Sequence, residues 1–367
     1  MASKTLRILM LNYEFPPLGG GASPVSYEIA KGYVKLGHNV DVITMLYKGL
    51  KEFEKKDGIN IYRVPCWRTK KEICHPWEQY SYIRSAKKFL KEHMKTHTYD
   101  INHTHFIIPT GVLALWMKKK YHIPYIITSH GSDVLGYNKR FKYLYPFLIS
   151  KWKKIVKEAK TVITPSRFLQ DKIKSITTQG KFAVIPNGID KNKFKPLKKQ
   201  KRILVVARLF ENKGVQDILD ALKGLDLGVW KVDIVGDGPY RPVLEKKIKE
   251  NNLSGIVKVH GWVDNNSKKM KNLYGHASIF VSASYFESFG MTVLEALSAG
   301  CYPLVSDIGG YKEFNLDKQH YFKVKNPKEL MKKLKVLINE KIKLNVAKFN
   351  NQFEWASIMG GYYETIK

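Results

Sequence analysis

The chain has few cysteines, a shortage of acidic residues and no long apolar run, and each shortage excludes a class of protein. Three cysteines in 367 residues (Cys66, Cys74 and Cys301) cannot form the framework of a disulfide-dense secreted domain and fit thiols kept reduced. No apolar stretch approaches the roughly 18 residues a membrane-spanning helix needs. The opening MASKTLRILMLNYEF has too short an apolar stretch for a signal peptide and runs directly into patterned sequence, so a cytoplasmic location is expected. There is no G-x-S-x-G elbow, Walker loop, D-x-D metal pair, cofactor-lysine motif or repeat at a solenoid period. Only 32 Asp+Glu stand against 63 Lys+Arg, a formal net charge of +31.

What is present is a folded composition. With 44% hydrophobic and 12% aromatic residues the chain is too apolar to be intrinsically disordered, and its length predicts two domains. The basic excess is spread, net +18 over residues 1–190 and +13 over 191–367. It suggests a polyanionic partner, either nucleic acid, an anionic membrane surface or a phosphorylated substrate. Solvated surface lysine explains the same total, so the charge alone selects none of these.

Short β-branched runs alternate with helical stretches, which predicts α/β architecture with parallel sheets covered by helices. The first series of strands is read at 7–12, 40–46, 100–105, 125–130, 161–165 and 182–186. A second series is read at 202–208, 232–236, 257–261, 278–284 and 302–307. The first helix is read over 24–36, with Ser23 as its N-cap, Pro24 at its first position and Gly37 just past its end. The polar, basic stretch 187–201 interrupts the series and is read as an interdomain linker. Two doubly wound, Rossmann-like domains joined there would face each other across a cleft, with ligands at the carboxyl ends of the strands.

Several residues in the predicted strand-to-helix loops could carry chemistry. Gly19 and Gly20, in EFPPLGGGASP, allow close backbone approach ahead of a helix start that could receive an anion. VGDGPYR at 235–241 opens like a dinucleotide fingerprint at Gly236 but has Arg241 where the third glycine would fall. Arg208 and Lys213, one at a strand end and one in the following loop, could converge on a diphosphate, or could simply be solvated cations. In YFESFGMTVLEALSAG, Glu287 and Glu295 flank Gly290 and a helix start. That spacing suits the two ends of a nucleotide-sugar, and equally ordinary first-turn acids. His103 and His105 alternate along a strand, sharing a face that could bind metal only with a third ligand. His130, in SHGSD, ends a strand and points toward the predicted cleft.

Taken in order, these motifs resemble the glycosyltransferases of family four, which have the two-domain GT-B fold. The resemblance covers nearly the whole chain: PPLGGG, DINHTH, SHGSD, TPS, IPNGID, ARLFENKG, VGDGP, HGWV, ESFGMTVLEALSAG and FEW. It implies transfer of a hexose-type sugar from a UDP- or GDP-linked donor to an acceptor, with retention of configuration and without a metal or other cofactor. It implies that Arg208 and Lys213 hold the diphosphate and that Gly19 and Gly20 close over it. Glu287 and the amides near Phe289, Gly290 and Met291 would bind sugar and phosphate. Glu295 would take the ribose, the region of Val263 the base, and His130 the reacting sugar, with Gly236 in the donor-binding turn. The domains implied are 1–186 on the acceptor side and 202–350 on the donor side, with 351–367 packing back on the first. Basic stretches interleaved with aromatics at 140–160, and basic helical sequence at 84–95, predict an anionic membrane surface and a lipid-linked or phospholipid acceptor. The competing readings are a GT-B sugar-nucleotide epimerase and a non-enzymatic nucleic-acid-binding protein. The helix–strand order shows no nucleic-acid module, so no nucleic-acid partner is expected.

Overall fold

Strands buried on both faces read as uninterrupted apolar runs, and such runs make up much of both sheets of this protein. The computed structural model describes residues 4–71, 73–135, 145–339, 349 and 351–367. It divides into two compact units, one of residues 1–187 with 355–367 and the other of 188–354.

The first unit carries an eight-stranded sheet of order β3-β4-β2-β1-β5-β6-β7-β8. Its strands are β1 Arg7–Leu11, β2 Asn39–Met45, β3 Phe53–Lys56, β4 Ile59–Val64, β5 Ile101–His105, β6 Tyr125–Thr128, β7 Thr161–Thr164 and β8 Phe182–Val184. All pairings are parallel except β3 with β4. That hairpin was not anticipated. Its two-residue turn, Asp57-Gly58, has both residues at positive φ (51° and 79°), as a tight hairpin requires. Strand β3 is polar and largely exposed at the sheet edge, so no apolar run announced it.

The helices of this unit are α1 Ala22–Lys35, α2 Pro76–His93, α3 Thr110–Tyr121, α4 Tyr145–Glu158 and α5 Arg167–Lys174. Helix α1 starts two residues earlier than expected, with Gly21 at the N-cap. Ser23 lies inside the helix and is buried, its carbonyl accepting from Ser26 Oγ at 2.8 Å, so it cannot cap. Gly37 does end the helix at φ +86°.

The second unit has a six-stranded, all-parallel sheet of order β11-β10-β9-β12-β13-β14. These are β9 Gln200–Val206, β10 Lys231–Val235, β11 Val257–Val259, β12 Ala277–Ser282, β13 Tyr302–Ser306 and β14 Tyr321–Phe322. Counted within the unit the order is 3-2-1-4-5-6, the doubly wound arrangement whose switch point lies between β9 and β12. Helices α6 Val215–Lys223, α7 Arg241–Glu250 and α10 Pro327–Asn339 pack one face, and α8 Lys268–His276 and α9 Met291–Ser298 the other.

Residues 188–199, read as linker, are pinned to the second unit. Phe194 is fully buried with its ring 4.7 Å from that of Tyr274, and Lys199 Nζ donates to the carbonyls of Ala277 (2.8 Å) and Ala299 (2.7 Å). The aromatic ring fills apolar space and the lysine ammonium satisfies carbonyls that a free linker would leave open. Residues 351–354 also belong to this unit, where Ile189 N donates to the Phe353 carbonyl at 2.7 Å. The returning segment is therefore α11, Trp355–Ile366, whose Met359 sits against Gly32 of α1, where any Cβ would lie 2.4 Å from its Sδ. Residues 340–348 and 350 lie outside the described residues.

Candidate functional site

In the first unit the switch point lies between β1 and β5, and the loops after β1, β5 and β6 carry the residues of interest. The loop after β1 is held by Asn12, whose Nδ2 donates to the Glu14 carbonyl (2.9 Å) and to Ser26 Oγ (2.8 Å). Gly19 follows at φ +92°, its amide donating to the Lys71 carbonyl at 2.8 Å, and a Cβ there would lie 2.7 Å from Glu14 Cβ. Gly20 accepts from the Ser23 amide at 3.0 Å.

The SHGSD turn is organised by Asp133. One carboxylate oxygen accepts from Ser129 Oγ (3.0 Å) and the amides of Gly131 (3.0 Å) and His130 (3.2 Å); the other accepts from the Ile107 amide at 2.7 Å. His130 is thereby fixed beside the end of β5, its Nε2 3.0 Å from His105 Nδ1. Burial pushes its imidazole down to about 3, so it is neutral at physiological pH. His103 and His105 do share a face, but both nitrogens of His103 are taken, Nε2 by Thr128 Oγ1 (2.8 Å) and Nδ1 by the Tyr33 hydroxyl (3.1 Å). Among the described residues no group of three or more His, Cys, Asp or Glu could hold a metal ion.

In the second unit the loops after β9 and β12 meet at the switch point. Lys213 Nζ forms an ion pair with Glu287 Oε1, and Ser284 Oγ donates to the same oxygen at 3.0 Å. Gly214, next to Lys213, adopts φ +66°, and a Cβ there would lie 2.0 Å from the Ala283 carbonyl oxygen, so the two loops touch backbone to backbone. Gly310 does the same on the other side, 2.2 Å from the Glu287 carbonyl oxygen by the same measure. Arg208 is exposed at the end of β9, its guanidinium 5.6 Å over the Phe210 ring, and among the described residues it has no ion pair. Gly236, after β10, has φ +134°, and a Cβ would fall 1.8 Å from the Ala207 carbonyl oxygen. Its amide donates to the Gly261 carbonyl, tying this loop to the one that holds Val263, itself partly buried against the core.

Helix α9 begins at Met291 with Gly290 at its N-cap (φ +107°), no side-chain cap and no acidic residue in its first turn. Its leading amides and the positive end of its dipole suit an anion. Phe289 is 1% exposed and packs on Phe314 at 5.1 Å, so only its backbone can meet a ligand. Glu295, four residues into the helix, is buried; Asn265 Nδ2 donates to Oε1 (2.9 Å) and the Tyr274 hydroxyl to Oε2 (2.7 Å). Burial raises its pKa, opposed by those two hydrogen bonds. Each oxygen keeps a lone pair and can accept a ligand hydroxyl. Asn265, Tyr274 and Gly310 form no local motif and reach the site only through the fold, whereas Ser284 stands three residues before Glu287 in the same loop without belonging to a recognised pattern.

The order of loops and folds has known counterparts. Residues 19–193 match the model described as Glycosyltransferase Family 4 and residues 188–353 the one described as Glycosyl transferases group 1. An uncharacterized glycosyltransferase of Methanocaldococcus jannaschii is 30% identical over 84% of this chain and 82% of its own. The alpha-monoglucosyldiacylglycerol synthase of Acholeplasma laidlawii is 26% identical over 80% and 78%. The crystal structure of Anabaena HepE in complex with UDP and glucose superposes with a TM-score of 0.78 at 19% identity, covering 98% of this chain and 99% of that one. The chain belongs to the group 1, family 4 glycosyltransferases and has the GT-B fold.

Proposed function

We propose that the protein transfers a hexose-type sugar from a nucleoside-diphosphate sugar, UDP- or GDP-linked, to an acceptor with retention of configuration and without a metal. The observation that carries this reading is the Lys213–Glu287 pair at the switch point, next to the uncapped start of α9. A cation, free amides and two carboxylates spaced along one loop and helix are the complement of a diphosphate with a polyol at each end. Lys213 and Arg208 hold the diphosphate, and the amides at Phe289, Gly290 and Met291 take its oxygens and the sugar. Glu287 accepts from sugar hydroxyls, Glu295 from the ribose, and the Gly236 and Val263 loops frame the base. In the first unit, Gly19 and Gly20 are assigned to the phosphate side and His130 to the reacting sugar.

The chemistry is substitution on one face of the anomeric carbon. Its bond to the phosphate oxygen breaks as the acceptor oxygen bonds to the same face, and the acceptor proton passes to the departing phosphate. The residues supply electrostatics: fixed cations and amides stabilise the charge that grows on the leaving diphosphate.

The acceptor is proposed to be a lipid-linked glycan or phospholipid at an anionic membrane surface, reached by a cytoplasmic, peripherally bound enzyme. Helix α3 packs between α2 and α4, and the three present Lys87, Lys118, Lys119, Lys120, Lys151, Lys154 and Lys157. Lys154 is close enough to push the Lys119 ammonium pKa down, and Lys87 lies 5.2 Å over Trp116. Phe147 is 83% exposed at the start of α4; residues 140–144 of the expected basic-aromatic stretch lie outside the described residues. No helix among the described residues is long and apolar enough to cross a membrane.

A thermal-shift panel of UDP, GDP and ADP with their sugars tests the reading. One nucleotide and its sugar should stabilise the protein, and that sugar should then be transferred with its anomeric configuration kept. Isomerised sugar formed from donor alone would instead support the epimerase.

A further inference from the structure

His105 is buried at the end of β5, and its register opposite Thr128 of β6 brings it within reach of His130 two residues further on. The two rings lie within 10° of parallel with centres 5.3 Å apart. That separation equals the 3.0 Å between Nδ1 of His105 and Nε2 of His130 plus about 1.15 Å from each nitrogen to its own ring centre, the radius set by ordinary ring bond lengths. The imidazoles are therefore nearly coplanar and end to end, joined by a linear N–H···N hydrogen bond. They are not stacked face to face.

One proton occupies that bond, and the other end of His105 decides whose it is. Its Nε2 is buried and has no hydrogen-bond partner among the described residues. The neighbouring His103 ring, 4.6 Å away and 21° from parallel, lies over the face of His105 and offers nothing in the plane where Nε2 points. A neutral imidazole has one N–H and one bare nitrogen. Orphaned buried N–H groups are rarer than under-satisfied acceptors, so the bare nitrogen belongs at Nε2 and the proton at Nδ1. His103 cannot reverse this through its own bonds, since Thr128 and Tyr33 occupy both its nitrogens.

We infer that His105 is a positioning residue that donates from Nδ1 to His130 Nε2 and so locks His130 as the Nδ1–H tautomer, a neutral donor directed at the substrate. This rests on the reading of His130 at the reacting sugar. Its consequence is chemical: His130 offers that sugar an N–H, suited to a hydroxyl oxygen, and does not act as a base or a cation. Burial, which holds both imidazoles neutral, agrees with this.

Long-range 15N–1H correlation spectra of the full chain labelled in histidine read the tautomer directly, with the His130 signals identified by their loss in His130→Gln. Wild type should show the proton on Nδ1 of His130, against the Nε2–H preference of free histidine. His105→Phe, which removes the donor, should return His130 to Nε2–H and lower kcat/KM for transfer roughly tenfold, the worth of one neutral hydrogen bond. His105→Asn, which places an amide N–H near the lost nitrogen, should restore both. A wild-type His130 protonated at Nε2 overturns the inference whatever the variants do, as does an unchanged tautomer in folded His105→Phe. If the tautomer switches as expected but transfer is unaffected, the inference on His105 stands and the assignment of His130 to the sugar fails.

Discussion

Replacing Lys213 with alanine is the perturbation whose size the structure constrains best. The Lys213 and Glu287 side chains are 15% and 23% exposed, so the ion pair is shielded enough to matter for folding as well as for ligand. Without Lys213 the Glu287 carboxylate loses its ion pair and keeps the 3.0 Å hydrogen bond from Ser284. Losing one charge-assisted hydrogen bond costs about 1.5–3 kcal/mol, which lowers Tm by about 5 °C in a unit of this size. The effect on transfer should be larger, because in the proposed reaction the same ammonium faces the charge that develops on the departing diphosphate. Removing one such preorganised donor costs about 10²–10³ in kcat. Lys213→Arg should recover most of the stability and only part of the rate, since a planar fork replaces a point charge. Initial-rate measurements of nucleoside-diphosphate release, with melting curves on the same samples, check both. A Lys213→Ala enzyme within about threefold of the wild-type rate would refute the reasoning, whatever its Tm.

Glu295→Gln separates stability from function. Burial raises the folded pKa of Glu295, so its proton stabilises the fold below the ordinary glutamate value, and that contribution is lost as pH rises through the raised value. The variant should therefore melt higher than wild type at about pH 8, with the gap closing toward about pH 4.5, while nucleoside-diphosphate affinity falls. Gly236→Ala should fail to accumulate in soluble form or lose more than about 10 °C in Tm, because its Cβ would overlap the Ala207 carbonyl at a positive φ. Gly255→Ala, in open space, should stay within about 0.5 kcal/mol of wild type. Flotation should show binding to vesicles rich in anionic phospholipid and none to neutral ones, weakened when Lys118, Lys119 and Lys120 are changed together to Ala; equal absence from both vesicles removes the membrane proposal.

Most parallel strands were legible as short apolar runs with β-branched residues, from RILML in β1 to YPLVS in β13, but β4, INIYRV, whose apolar residues alternate with polar ones, and the two-residue β14 were not read. Strand β3 was not, since FEKK at an exposed edge has no apolar signature, and only Asp57-Gly58 hinted at the hairpin. Ser23 misled because a serine before a proline reads as a cap, while the helix begins at Ala22 and leaves Ser23 two residues past the N-cap Gly21. The motif around Glu287 and Glu295 could be found from spacing within one loop and helix. The groups that hold it could not: Asn265 lies 30 residues from Glu295, Tyr274 lies 21 away, and Gly310 comes from beyond the next strand. Likewise the H-x-H of β5 was visible, but its bond to His130 depends on the register of β5 against β6. Of the +31 charge, which first pointed at any polyanion, Lys213 and Arg208 are assigned to the proposed donor site and a group of lysines to a helical face of the first unit, while most of the 63 basic residues are spread over both units.

The most direct measurement of the central claim is calorimetric titration of UDP, GDP and ADP into the full chain and into the Arg208→Ala, Lys213→Ala double variant. One nucleoside diphosphate should bind the wild type, and its affinity should fall at least about a hundredfold in the variant, which lacks both cations proposed to hold the diphosphate. Binding of equal strength to both proteins, or to neither, would contradict it.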